Sequence, residues 1–406
     1  MLSRRDFLGT GGSFLTWGAL GYPLGLFAAP TEDHLFVLIN VFGGMDVTLG
    51  LDPLVMPPGA DENDVFIEYR PEEILISGEV SFAPAAKPLL PWASDCLVIN
   101  GVMMRRDAGH DVVNQYMISG RGDGKGATVT AELELATGSS SLGIVANNSL
   151  YLAGKAVSLT SLQNLLNEKD PEALMRWVEE RLEYEASLKG TPFEEAQRKI
   201  VNSRSHMKKF MEHMETFRKK LPKAEEKHAL VAALASGGSR HAEYQIFGAS
   251  LDSHSNHPKN HLQAQIKVWE QVAELFSLCK GIPYMNGNLF DYTTFMIVSE
   301  FSRTPFLNAA KGKDHNPLTN SVLLAGKGIR KGKVVGKSKI ITRKQSGNIA
   351  DHMASPFNYK EGKVATSPTG ASFIFPENVI RTVGAVFGNQ LGSVASSVAV
   401  VPGIAL

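Results

Sequence analysis

A chain of 406 residues, 43% hydrophobic and 20% charged, carries ample apolar material for one large domain or two to three of average size. Lysine plus arginine and aspartate plus glutamate both number 41, so no global field points to nucleic acid or an anionic membrane surface. The two cysteines, Cys96 and Cys279, exclude a disulfide framework and a thiolate metal cluster, and their apolar surroundings predict buried free thiols.

Ser3-Arg4-Arg5-Asp6-Phe7-Leu8 matches the twin-arginine export pattern and is followed by a glycine-rich apolar segment, Gly9 to Phe27, and Ala28-Ala29. That segment is too interrupted to read as a membrane span. It predicts a signal over residues 1–29 and an address in the periplasm, cell envelope or extracellular space, with a membrane tether only if the signal stays uncleaved. Residues 30–406 then form a single domain with a charged helical insertion at about 161–235.

The first buried strand pattern runs from His34 to Phe42 and ends in Gly43-Gly44-Met45-Asp46. A carboxylate just past a strand suits ligand chemistry, and it equally suits a helix N-cap. Asp52 to Pro84, rich in proline and acid, predicts a long surface loop with at most short strands. Lys87 to Trp92 looks helical, and Asp95 to Val102 is another buried strand. Arg105-Arg106-Asp107-Ala108-Gly109-His110-Asp111 follows it and opens a helix over Val112 to Gly120, a strand-loop-helix unit whose helix N-terminus favours anions. His110 is a candidate ligand or acid-base group there, although a lone loop histidine is more often neither. Arg121-Gly122-Asp123 and the glycosylation acceptor Asn147-Asn148-Ser149 are short enough to arise by chance.

From Ser161 to about Leu234 the pattern turns helical and charged. His206 and His213 share a face, but Lys208, Lys209, Lys219 and Lys220 around them predict a solvated surface rather than a metal site. The stretch from Phe247 to His261 is richer. Asp252, His254, His257 and His261 supply nitrogen and oxygen ligands for zinc or a similar ion, and Asp252 and His254, two apart, face one side of an extended chain. Pro258 to Phe276 is an amphipathic helix with Leu262, Ile266, Trp269 and Val272 inward.

Thr293 to Val298 is a β-branched apolar run that stops at Ser299-Glu300, and Arg303, Asp314 and His315 follow in a loop. Ligands bind beyond the carboxyl ends of strands in parallel sheets, which places Glu300 where chemistry is expected and lets Asp314-His315 fold back to join it. The plainer alternative has Glu300 cap a helix and His315 decorate a loop. Ser321 to Gly326 is a further buried strand, Gly328 to Gly336 a basic hairpin without phosphate-loop spacing, and Asp351-His352-Met353 offers a candidate ligand pair but reads more readily as plain surface loop. Asn378 to Gly388 is an apolar closing helix with a glycine C-cap.

In order, RRDF, FGGMD after a strand, GHDVVNQYMISG after a strand, LDSHSN before a helix, SEFSRTP after a strand, KDHN, and AGKGIRKGKVVG after a strand resemble the family of domain of unknown function 1501. These are twin-arginine-exported bacterial proteins of the alkaline phosphatase and sulfatase superfamily. The resemblance implies a three-layer α/β/α sandwich around a mixed, largely parallel sheet, and a divalent-metal site at the strand ends. It also implies hydrolysis of phosphate or sulfate esters. Carried over, it makes Asp46, Asp252, His254, Glu300, Asp314 and His315 metal ligands. A hydrolase on this site adds His110 and Arg303 as catalytic groups, with Arg303 either clamping the ester anion or, as readily, forming a structural salt bridge to Glu300. The resemblance does not distinguish zinc, calcium and magnesium. Partners are then a small anionic ester or an envelope protein, not nucleic acid. One departure matters: Gly109 stands where superfamily enzymes carry their nucleophile, so either water attacks directly or catalysis is lost and a binding or assembly protein remains.

Overall fold

Continuous apolar runs make the central strands of this computed structural model, which describes residues 33–61, 64–104, 109–138, 140–148, 156–160, 162–163, 171–189, 193–220, 225–246, 251–342, 350–367, 369–392 and 394–406. The expected export signal over residues 1–29, Arg105 to Ala108, Ser149 of the expected glycosylation acceptor and Phe247 to Ser250 lie outside the described residues. The chain divides into two compact units, the smaller drawn from residues 134–242 and the larger from residues 34–133 and 243–406.

In the larger unit β1 (Leu35–Val41) is buried at every position, as befits a strand covered on both faces. β2 (Cys96–Asn100) is buried throughout and precedes α1 (His110–Ser119), whose N-cap is Gly109. The smaller unit contains the parallel pair β3 (Ile144–Ala146) and β4 (Ala156–Ser158). Helices α2 (Pro171–Lys189), α3 (Phe193–Lys220) and α4 (Glu226–Ala235) follow. Val178, Ile200, Met207, Phe210 and Met214 are buried in this unit. His206 is not simply solvated as expected: its Nδ1 lies 3.0 Å from Ser141 Oγ, and burial lowers its pKa.

β5 (His241–Ile246) leads back into the larger unit. There the chain forms α5 (His257–Lys280), β6 (Thr293–Ser299), the two-residue strands β7 (Ser302–Arg303) and β8 (His315–Asn316), and β9 (Ser321–Gly326). β10 (Lys333–Gly336), β11 (Ser338–Thr342), β12 (Ala350–Ala354) and α6 (Pro376–Val386) complete it. The strand order is β10-β2-β9-β6-β1-β5. β1 runs parallel to β6 and β10 parallel to β2, whereas β9 is antiparallel to both its neighbours. The fold is therefore mixed α/β. Val41 lies opposite Ser299, so the segments after β1 and β6 leave the sheet side by side.

Behind these strands Phe276, Phe290 and Phe295 pack with ring centroids 4.8 to 5.4 Å apart, each buried ring contributing about 1.5–3 kcal/mol. Both cysteines are buried and free. Three expectations need correction. Residues 328–336 do not form a hairpin; Lys333–Gly336 is a strand, with Lys333 reaching out to Glu79 and Lys331, just before it, to Asp95. The buried face of α5 begins with His257 and His261 and continues through Gln265, Val268, Trp269 and Val272, while Leu262 and Ile266 are only half-buried. His352 is fully buried on β12, its Nε2 against Ser338 Oγ, whose hydroxyl donates to Asp52. No helix among the described residues is long and apolar enough to cross a membrane.

Glu243 of β5 is buried, accepts from Thr128 Oγ1 at 2.6 Å, and burial pushes its carboxyl up to about 7. A folded pKa above the unfolded value of about 4.3 means that the native state holds the proton between these limits. The resulting stability is fully present below pH ~4.3 and is lost as pH rises through about 7. Glu243→Gln keeps the acceptor and removes the titration. Urea denaturation is expected to show this variant gaining on the parent between pH 5 and pH 8, by up to ~3 kcal/mol; an unchanged difference contradicts this.

Candidate metal centre

Past β1 the chain turns through Gly43 and Gly44 at φ +121° and +74°, and a Cβ on Gly44 would stand 2.4 Å from the Phe301 ring. Only glycine fits there. The turn brings two carbonyls against Arg303, whose side chain is wholly buried. Its Nε donates to Gly44 O at 3.0 Å and Nη1 to Lys313 O at 3.2 Å. Nη2 donates to Gly43 O and, at 2.9 Å, to Asp252 Oδ1. The guanidinium is thus spent on tying four segments together and does not face an anion site.

β7 and β8 pair with Arg303 opposite His315, which returns the loop after Arg303 to the sheet edge. That loop grips residues 251–256: Lys313 N donates to Ser253 O and Asn256 N to Ala310 O, both at 3.1 Å. Gly312 lies so near the His254 carbonyl that a Cβ would stand 1.9 Å from it. Asp252 and His254 consequently meet His315.

Four ligand-bearing side chains converge there. Asp252 Oδ1 is 3.1 Å from His254 Nε2 and 3.3 Å from His315 Nε2, and Oδ2 is 3.5 Å from His110 Nε2. The Nε2 atoms of His254 and His315 are 2.9 Å apart. The ligand atoms of His110, Asp252 and His315 all lie within 4.8 Å of one another. His254 adjoins that group.

The other ring nitrogens fix what these histidines offer. His110 Nδ1 is 2.6 Å from Glu300 Oε1 and His254 Nδ1 is 2.8 Å from Asp314 Oδ1. A carboxylate accepts, so a neutral ring with its proton on Nδ1 leaves the Nε2 lone pair available to an ion. Glu300 is held in turn by Gly43 N at 2.8 Å and Ser299 Oγ at 3.0 Å. Carboxylates behind the ring nitrogens in this way are how proteins orient metal-binding imidazoles.

The residues fit a divalent ion. His110 Nε2 is buried and has no hydrogen-bond partner, an orphan that a Lewis acid satisfies. Ligand atoms about 2.0–2.1 Å from a tetrahedral ion stand ~3.3 Å apart, close to the spacings already present. Three imidazoles and one carboxylate suit zinc or a similar transition metal better than calcium or magnesium, which take oxygen. Burial pushes the Asp252 carboxyl up, but the hydrogen bond and charge of Arg303 outweigh it and hold the pKa down at about 2. The hydrogen bond to Glu300 raises His110 above its ordinary value despite burial, so protons compete with an ion at acid pH.

Of the residues singled out in the sequence, His110, Asp252, His254 and His315 come together, and Glu300 and Asp314 stand directly behind two of them. Asp46 does not join them. It caps the short turn at Val47–Leu49, accepting from Thr48 N at 3.0 Å, and its other oxygen meets Lys313 Nζ at 2.7 Å. Lys313 and Glu68, which flank Asp46 and His257, carry no sequence signal of their own, since lysine and glutamate are ordinarily surface residues.

The family model described as a protein of unknown function (DUF1501) matches residues 152–374, more than half of the chain. The chain belongs to this family. The matched segment of this DUF1501 protein contains Asp252, His254, Glu300, Arg303, Asp314 and His315, whereas Asp46 and His110 precede it. No curated protein matches the chain.

Proposed function

We propose that this DUF1501 protein is an exported, metal-dependent hydrolase of phosphate or sulfate esters, on a three-layer α/β/α sandwich of alkaline phosphatase type. One observation carries the reading: the imidazoles of His110 and His254, each backed by a carboxylate at Nδ1, turn their Nε2 atoms toward Asp252 and His315 at one edge of the sheet. His110, Asp252, His254 and His315 would hold the ion, which supplies a Lewis acid and acidifies water when bound. The chain's own residues do the rest. Glu300 and Asp314 hold the ring orientations, and Arg303 fixes Asp252 as a carboxylate. Gly109, the N-cap of α1, offers no side-chain nucleophile, so water is the attacking group. The twin-arginine pattern before residue 30 gives the address, outside the cytoplasm.

The same Gly109, with an Arg303 wholly engaged by protein groups, favours a second reading, a non-catalytic envelope module that keeps the ion for structure. A panel of aryl phosphates and sulfates offered to zinc-loaded protein separates the two. Turnover that disappears on chelation and returns with zinc is the expected result. Zinc retention without turnover across the panel supports the second reading.

A further inference from the structure

Behind the imidazole cluster lies a drier one. Asp46 and Lys313 are buried as a pair, Nζ 2.7 Å from Oδ2, and Asp46 Oδ1 is taken by Thr48 N and by Thr48 Oγ1 at 3.0 and 2.6 Å. His257 Nε2 lies 3.4 Å from the same Asp46 Oδ2 and 3.4 Å from Glu68 Oε1. Both His257 Nε2 and Glu68 Oε1 are buried without a hydrogen-bond partner. His257 Nε2 thus stands between two carboxylates, donor types that a divalent ion takes. In this chain an ammonium already sits on the shared carboxylate.

We propose that Lys313 is a built-in cation filling a second metal position, so that the protein takes one divalent ion, at His110, Asp252, His254 and His315, and none at Asp46. The inference rests on the metal-centre reading above. A divalent ion beside a buried ammonium meets like-charge repulsion that the low-dielectric surroundings do not screen. Lys313 cannot swing aside, because its aliphatic stem is enclosed and its Nζ lies 5.9 Å from the Phe66 ring. One ammonium balances one carboxylate, and burial pushes Glu68 up to about 7, in keeping with a cluster that lacks a second full positive charge. The arrangement also links FGGMD to KDHN, setting Lys313 on Asp46 one residue before Asp314 turns toward His254.

The test counts zinc. Full-length protein and variants are equilibrated with Zn²⁺ alone, dialysed, and measured by elemental mass spectrometry. Wild type is expected to hold one equivalent and Asp46→Asn still one, since asparagine keeps the cap but loses the ligand charge. Lys313→Ala is expected to hold two, and adding Asp46→Asn to Lys313→Ala to restore one. Two equivalents in wild type, or loss of zinc in Asp46→Asn, overturns the inference. So does Lys313→Ala staying at one. Should Lys313→Ala not fold, wild type and Asp46→Asn decide alone. Zero equivalents in wild type with one in Lys313→Ala would instead reject the metal centre and leave the role of Lys313 standing.

Discussion

Asp252→Ala is expected to abolish zinc binding while the protein stays folded. The side chain is half-exposed, so its removal opens no cavity, and the stability it costs comes from leaving the buried Arg303 guanidinium without its carboxylate. Its effect on the ion is large for two reasons. Asp252 supplies a carboxylate that faces His110, His254 and His315 together. It also neutralises the Arg303 guanidinium 2.9 Å away, and the variant leaves that positive charge at the edge of the site. Substitutions behind metal ligands cost about 10–100-fold in affinity, and loss of this ligand should exceed ~100-fold on that scale. Competition titration against a chromophoric zinc chelator measures it, with thermal melting as the check on folding. An affinity within threefold of the parent would contradict the assignment.

Arg303→Met is expected to destabilise the larger unit by about 3–5 kcal/mol. Methionine fills much of the volume but leaves the carbonyls of Gly43, Gly44 and Lys313 without the donors they now have. Each buried acceptor left unpaired costs about 1–3 kcal/mol. Arg303→Lys should recover little of this, because one ammonium cannot span acceptors that a planar fork reaches from three directions. Urea denaturation gives the number, and a loss below about 1 kcal/mol would show that other contacts tie these segments together.

The strands were legible because their chemistry is local. LFVLINV and TTFMIVS are uninterrupted apolar runs, and both are buried throughout. The convergence of Asp252, His254 and His315 was also within reach, since strand ends in such a sheet share an edge. The division of labour was not. Glu300 and His110 look alike as candidates until the 2.6 Å contact of Glu300 Oε1 with His110 Nδ1 shows that one orients the other. Arg303 reads as an anion clamp in sequence, and only the backward turn of Gly43 and Gly44 shows what consumes its donors. Asp46 reads as a ligand until Lys313, more than 250 residues away, is found on it. His352 inverts the usual pattern: period two along β12 buries His352 and leaves Asp351 and Met353 half-exposed, so polarity alone pointed the wrong way.

The central claim is that one divalent ion sits among His110, Asp252, His254 and His315. Anomalous diffraction at the zinc edge from zinc-equilibrated crystals tests it most directly. The expected result is a single peak about 2.0–2.2 Å from His110 Nε2, His315 Nε2 and an Asp252 oxygen. No peak at these atoms, or a peak beside Asp46 in their place, would contradict it.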